Sequence, residues 1–115
     1  DLQLLKKALF RGMDGVLAGK REFGRLAPPQ RGVSGPRRSN ADGMTVDTAG
    51  NIYVTAYGCI QVFDRTGSRI GAINFPKGPS NCIFGGKDMK TLYAPCRARI
   101  YSLETNVTGL AYPPR

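Results

Sequence analysis

The sequence predicts an all-β chain, a β-propeller segment of about two to three four-stranded antiparallel blades, with an N-terminal part that is irregular or helical. Three observations predict it. From residue 41 onward, short β-rich runs alternate with Gly and Asp turn signals. In the same region the sequence repeats itself at a period of 40 residues. The composition is that of an ordinary globular domain, 41% apolar and 22% charged, over a length of 115 residues.

The elements follow in order. Asp1 is placed to cap a short helix with Leu2, Leu5 and Leu9 on one face, ended by Gly12 and Asp14-Gly15. Residues 16–26 carry Val16, Leu17, Phe23 and Leu26 and read as a strand. Ala27 to Asn40 is a Pro/Gly/Arg-rich loop with almost nothing to bury. Strands are then expected over 42–47, 51–57, 59–64 and 69–75, and again over 81–85, 91–96, 99–104 and 109–112. The organisation is a partial blade plus loop over 1–40, one blade over 41–80 and a second over 81–115.

The repeat justifies the blades. Tyr53 and Tyr93 are 40 residues apart, Ile60 and Ile100 are again 40 apart, and each Ile follows its Tyr by seven residues. A lone four-stranded sheet cannot bury both faces, whereas sheets stacked face to face around an axis can. The alternative is a single β-sandwich of eight short strands. Propellers hold about four to eight blades. A chain of this length therefore needs further blades, from a longer chain or from a second copy, to close a ring.

Composition excludes several functions. With 17 Lys+Arg against 8 Asp+Glu the net charge is +9, and residues 1–40 hold nine of the basic residues. No basic run exceeds two residues, as in Lys6-Lys7, Lys20-Arg21 and Arg37-Arg38, and aromatics are not interleaved with them, so nucleic-acid binding is not expected. No apolar run approaches the roughly 20 residues of a membrane span. The absence of His removes His-based triads, His metal ligands and imidazole switches. Cys59, Cys82 and Cys96 lack CxxC spacing and read as buried thiols in a reduced or indifferent compartment, with the expectation leaning to the cytoplasm. The chain opens on Asp1 without a signal-peptide pattern, as expected of a processed product or a fragment.

Other motifs are incomplete. Gly15-Val16-Leu17-Ala18-Gly19-Lys20 is one residue short of a phosphate loop and lacks the following Ser/Thr. Gly32-Val33-Ser34-Gly35 is not a nucleophile elbow, because Pro36 stands where Gly is required. Asn106-Val107-Thr108 is a glycosylation sequon only in a protein secreted from a eukaryotic cell.

Two stretches carry a family resemblance. Asn40-Ala41-Asp42-Gly43-Met44-Thr45-Val46-Asp47-Thr48-Ala49-Gly50-Asn51-Ile52-Tyr53-Val54-Thr55-Ala56-Tyr57 resembles the gluconolactonase/regucalcin (senescence marker protein) family. So does Gly78-Pro79-Ser80-Asn81-Cys82-Ile83-Phe84-Gly85-Gly86 followed by Thr91-Leu92-Tyr93, and Asp14 to Phe23 is similar to the family's preceding segment. The likeness covers roughly residues 13–110. It implies a six-bladed propeller, a divalent metal (calcium or zinc) near its axis, and hydrolysis of sugar lactones. The family's metal is held by a Glu near the chain start, an Asn from a middle blade and the Asp of an Asp-Gly pair. Only the last maps here, onto Asp42; the other ligands belong to blades this chain does not contain.

Lactone hydrolysis needs a polarised carbonyl, an activated water and a proton for the departing alkoxide. Asp42 sits where a polar loop enters an inner strand, which in a propeller is the mouth of the central channel. It is the candidate metal ligand and catalytic carboxylate, with Gly43 letting the backbone turn closely. By itself Asp42-Gly43 is also a turn dipeptide. Asn81 holds the equivalent place in the next repeat and is a possible channel-lining residue, or an Asn bonded to its own backbone. Asp47 and Asp64, at strand ends before Gly-containing turns, read as structural. The expected function is the C-terminal portion of a metal-dependent, gluconolactonase-like hydrolase acting on a small lactone. The alternative is a catalytically inactive propeller segment serving as a structural or binding module. Calcium takes about six to eight oxygen ligands, so the chain alone is expected to bind metal weakly and show little activity.

Overall fold

The computed structural model describes residues 19–28 and 39–111. Seven strands follow one another: β1 (Met44–Val46), β2 (Ile52–Ala56), β3 (Cys59–Phe63), β4 (Arg69–Asn74), β5 (Ile83–Gly85), β6 (Thr91–Cys96) and β7 (Arg99–Glu104). They form two antiparallel meanders, ordered β1-β2-β3-β4 and β5-β6-β7, and no helix occurs among the described residues.

Local chemistry sets the strand ends. The β1–β2 turn is organised by Asp47, whose Oδ1 accepts from the backbone N–H groups of Ala49 and Asn51, each at 2.9 Å. Its Oδ2 accepts from Asn51 Nδ2 at 2.9 Å and from the Tyr53 hydroxyl at 2.8 Å. Asp47 is only 1% exposed, so these bonds replace the water a buried carboxylate has lost. At the β2–β3 hairpin Tyr57 and Gly58 both take positive φ (51° and 78°), as a tight two-residue turn requires. The β3–β4 turn is held by Asp64, whose Oδ1 accepts from Thr66 N, Thr66 Oγ1 and Ser68 N at 2.9, 2.6 and 3.1 Å. Thr66 is the main reason that the Asp64 carboxyl titrates below the usual carboxylate range.

The sheets pack face to face, with β1 of one against β5 of the other. Strand alternation chooses the buried faces. In β2 and β3, Tyr53 pairs with Val62 and Thr55 with Ile60, and this side faces the second sheet. The second sheet answers with Phe84, Leu92, Ala94 and Cys96. Tyr53 and Phe84 meet edge to face with ring centroids 5.0 Å apart, and Phe75 and Tyr101 extend the contact at 5.7 Å. Ile60 is completely buried.

The 40-residue repeat has a geometric meaning. Tyr53 points into the space between the sheets, while its counterpart Tyr93 lies on the side of β6 opposite Leu92, away from the first sheet and 36% exposed. Ile100, the counterpart of the buried Ile60, is 74% exposed on that same outer side, which Ile83 also shares from the far side of β6. Both sheets therefore turn equivalent faces in the same direction, which is how blades follow one another around an axis.

The outer face of the first sheet is partly covered by residues 19–28. Ala27 N donates to Gln61 Oε1 at 2.8 Å and Gln61 Nε2 donates to Ala27 O at 2.7 Å, so one buried side-chain amide holds both backbone polar groups of a single residue. Phe23 and Leu26 face Met44, Ile52, Val54 and Phe63 across a shallow apolar cavity of about 190 Å³.

Two expectations are corrected. Residues 19–26, read as part of a strand, join neither sheet; the segment is anchored instead through Gln61. The eighth strand expected over 109–112 does not extend the second sheet among the described residues. Gly109 forms an isolated antiparallel bridge with Asp47, and Gly109 N bonds Met89 O at 2.6 Å, so this segment ties the two sheets together. A Cβ at Gly109 would fall within 2.9 Å of Phe84 Cδ2, so only glycine passes so close to the core. The helix expected near Asp1 and the remainder of the loop over 29–38 lie outside the described residues.

Candidate functional site

Two loop-to-strand junctions, one entering each sheet, meet where β1 lies against β5. The first carries Asp42-Gly43 and the second Ser80-Asn81. They are joined directly, since Gly43 N donates to Ser80 O at 3.3 Å. Gly43 also lies against Asn81, where a Cβ would come within 2.7 Å of Asn81 Cα and closer still to its amide. The small residue is therefore needed for the approach of the neighbouring sheet. The sequence suggested a turn around an ion; the contact that demands glycine is with Asn81.

Asp42 is exposed at this junction, and its backbone N–H donates to Thr55 O at 3.2 Å. Asn81 is exposed as well, and its Oδ1 accepts from Cys82 N at 2.8 Å, the local bond an Asn makes at the start of a strand. The two sequence-identified positions thus fall at the same end of adjacent sheets. Among the described residues no group of three or more His, Cys, Asp or Glu is placed to hold a metal ion. The described donors therefore do not by themselves fit a divalent cation, which for calcium takes about six to eight oxygens.

Sequence reasoning missed Thr55. This residue of β2 is completely buried, and its hydroxyl accepts from Gly43 N at 2.9 Å. The same Oγ1 lies 3.1 Å from Gly43 O and 3.4 Å from Ser80 O, the two carbonyls within reach of its single proton. The available signal was a threonine whose counterpart 40 residues later, Pro95, has neither hydroxyl nor N–H.

Burial, reinforced by the bond to the Asp47 carboxylate, raises the Tyr53 hydroxyl far above its ordinary value and keeps it a proton donor. Burial pushes the Cys82 thiol up to about 11 and also raises Cys59 and Cys96. All three cysteines are free.

Two stacked antiparallel meanders, turned the same way and meeting at their first strands, define a segment of a β-propeller. The SMP-30/Gluconolactonase/LRE-like region family matches residues 5–95, and the chain belongs to that family. It is 34% identical over 76 residues to pentonolactonase XacC of Haloferax volcanii, covering 63% of this chain and 26% of that protein. Regucalcin of Sus scrofa is 36% identical over 59 residues, 48% of this chain and 20% of that protein. An X-ray structure from the gluconolactonase protein family superposes with a TM-score of 0.58 at 37% identity, covering 62% of this chain and 24% of the other. The chain thus spans about a quarter or less of the length of these relatives.

Proposed function

We propose that this chain is the part of a sugar-lactone hydrolase that supplies the Asp42 carboxylate to the reacting centre. Family membership supports the lactone hydrolase class, and the observation that carries the assignment to Asp42 is its exposed position at the junction where β1 meets β5. The carboxylate accepts a proton from a water molecule as the water oxygen attacks the lactone carbonyl carbon. The ring C–O bond of the tetrahedral adduct then breaks, and the departing alkoxide takes the proton back from Asp42. Lactone and water become one hydroxy acid, and Asp42 returns to its starting charge. Asn81, across the Gly43 contact, lines the same mouth.

The calcium or zinc implied by the family resemblance would take the Asp42 carboxylate from this chain, with its other ligands from further blades of a longer chain or a second copy. No step is assigned to it. Hydrolysis of gluconolactone in a pH-stat tests the proposal. A rate above background that falls to background in Asp42→Asn, with the unfolding midpoint unchanged, supports it; a rate untouched by that substitution refutes it. The second reading, a propeller segment without catalysis, is favoured by the incomplete donor set and by the quarter-length coverage. A folded chain with no lactonase activity selects that reading.

A further inference from the structure

We propose that Thr55 is a positioning residue for Asp42, its buried hydroxyl setting the angle at which the carboxylate leaves the first sheet. This rests on the reading of Asp42 given above. The two peptide groups that flank the Asp42 Cα both end on Thr55. Asp42 N donates to Thr55 O at 3.2 Å, and Gly43 N, which belongs to the next peptide, donates to Thr55 Oγ1 at 2.9 Å. Thr55 N closes the ring by donating to Gly43 O at 2.9 Å. With both flanking peptide planes held, the backbone dihedrals of Asp42 are fixed and only its side-chain torsions remain free.

The hydroxyl has a second reach. Its oxygen lies within hydrogen-bond distance of both Gly43 O and Ser80 O, so one side chain touches both junctions, the one carrying Asp42 and the one carrying Asn81. A hydroxyl at a completely buried position is costly unless it is used, and valine would fill almost the same volume. The molecule contains its own comparison. The second repeat has Pro95 in place of Thr55; Ser80 N donates to Pro95 O at 3.0 Å as Asp42 N does to Thr55 O, which sets Ser80-Asn81 against Pro95 as Asp42-Gly43 is set against Thr55, and there the Asn81 oxygen bonds its neighbour Cys82 N instead. The hydroxyl clamp is present in the repeat that carries the carboxylate and not in the one that carries the amide.

The test is made on the isotope-labelled 115-residue chain by NMR. In Thr55→Val the Gly43 amide keeps only its longer 3.3 Å bond to Ser80 O and should exchange with solvent up to roughly tenfold faster relative to Val62 in β3, the size expected for the loss of the shorter of its two hydrogen bonds. The amide-to-Hα coupling of Asp42, which reports its φ, should move toward a rotationally averaged value. Thr55→Ser should return both to within about twofold of the parent. If Thr55→Val does not fold, Thr55→Ala is the second hydroxyl-free variant, with the same expectations. An unchanged Gly43 exchange rate and Asp42 coupling in the hydroxyl-free variant overturns the proposal, and so does a failure of serine to restore them. The reading of Asp42 fails separately, through gluconolactone hydrolysis that Asp42→Asn leaves intact. That result would not alter the exchange data. Where hydrolysis is measurable, Thr55→Val should lower kcat by about tenfold or more with KM little changed, because misplacing a reacting group costs rate more than binding.

Discussion

Replacing Asp47 with alanine tests the account of the β1–β2 turn most directly. The substitution removes the acceptor of four hydrogen bonds. The Tyr53 hydroxyl suffers most, because Tyr53 is 6% exposed and its ring is wedged against Phe84. An orphaned buried donor costs about 1–3 kcal/mol, and the wetter turn amides add about 0.5–1 kcal/mol each. Asp47→Ala should therefore cost about 3–5 kcal/mol. With a urea dependence of about 1–3 kcal/mol per molar, the midpoint should fall by roughly 1–5 M. The readout is tyrosine emission together with far-UV circular dichroism, since the chain has five Tyr and no Trp. The sharper measurement is a double-mutant cycle with Tyr53→Phe. By itself Tyr53→Phe removes one donor from a buried carboxylate and should destabilise. In the Asp47→Ala background it removes an unpaired hydroxyl and should be neutral or stabilising, a coupling of about 1–3 kcal/mol. Strict additivity, or a midpoint unmoved by Asp47→Ala, would show that the carboxylate does not organise this turn.

Three further outcomes are expected. Gly43→Ala sets a methyl group against Asn81 and should cost about 1–3 kcal/mol while shifting Asn81 and Ser80 resonances; unshifted resonances would contradict the close approach. Of the three thiols, half-buried Cys59 should react slowly with an aromatic disulfide near pH 8, while buried Cys82, its thiol raised to about 11, and buried Cys96 should react only after unfolding; fast labelling of Cys82 in the folded chain would refute this. Asp64 titrates below the ordinary carboxylate value, so its turn contributes stability above that value and loses it only as pH falls through the lower folded value. The Thr66 and Ser68 amides should accordingly stay protected in mildly acid solution, and in Asp64→Asn that pH dependence should disappear.

Much of the fold was legible because its determinants are periodic. The Tyr53/Tyr93 and Ile60/Ile100 pairs give the unit length, and the runs at 91–96 and 99–104 coincide with β6 and β7. Asp47 was legible as structural from its place before Gly50-Asn51, although its reach to Tyr53 was not, since that contact depends on β2 pairing back along β1 in the register that sets the two side chains on one face. Edges were less legible. Residues 42, 43 and 81 read as strand, yet Gly43 N reaches across to Ser80 O of the other junction and the Asn81 side chain takes the N–H of Cys82. The segment near Gly109 carries β-compatible residues, but its hydrogen bonds go to the Asp47 and Met89 turns. Positions 42 and 81 were marked from the repeat and the family likeness, and the structure brings their junctions together. Thr55 was passed over because a threonine in a strand is ordinary, and only the three-dimensional convergence of Gly43 and Ser80 on its hydroxyl distinguishes it.

The placement of Tyr53 inside and Tyr93 outside gives the stack a direction, as a polymer has a head and a tail. Its two ends are chemically unlike. One offers Ile83, Tyr93 and Ile100, and the other Met44, Ile52 and Val54 with Phe23 and Leu26 lying over them. Duplicating the genetic unit lengthens such a stack without reversing any sheet, because every added copy meets its predecessor through the same pair of surfaces. A mirror-like join of two identical ends would instead set Tyr93 against Tyr93, a pairing for which the molecule contains no precedent.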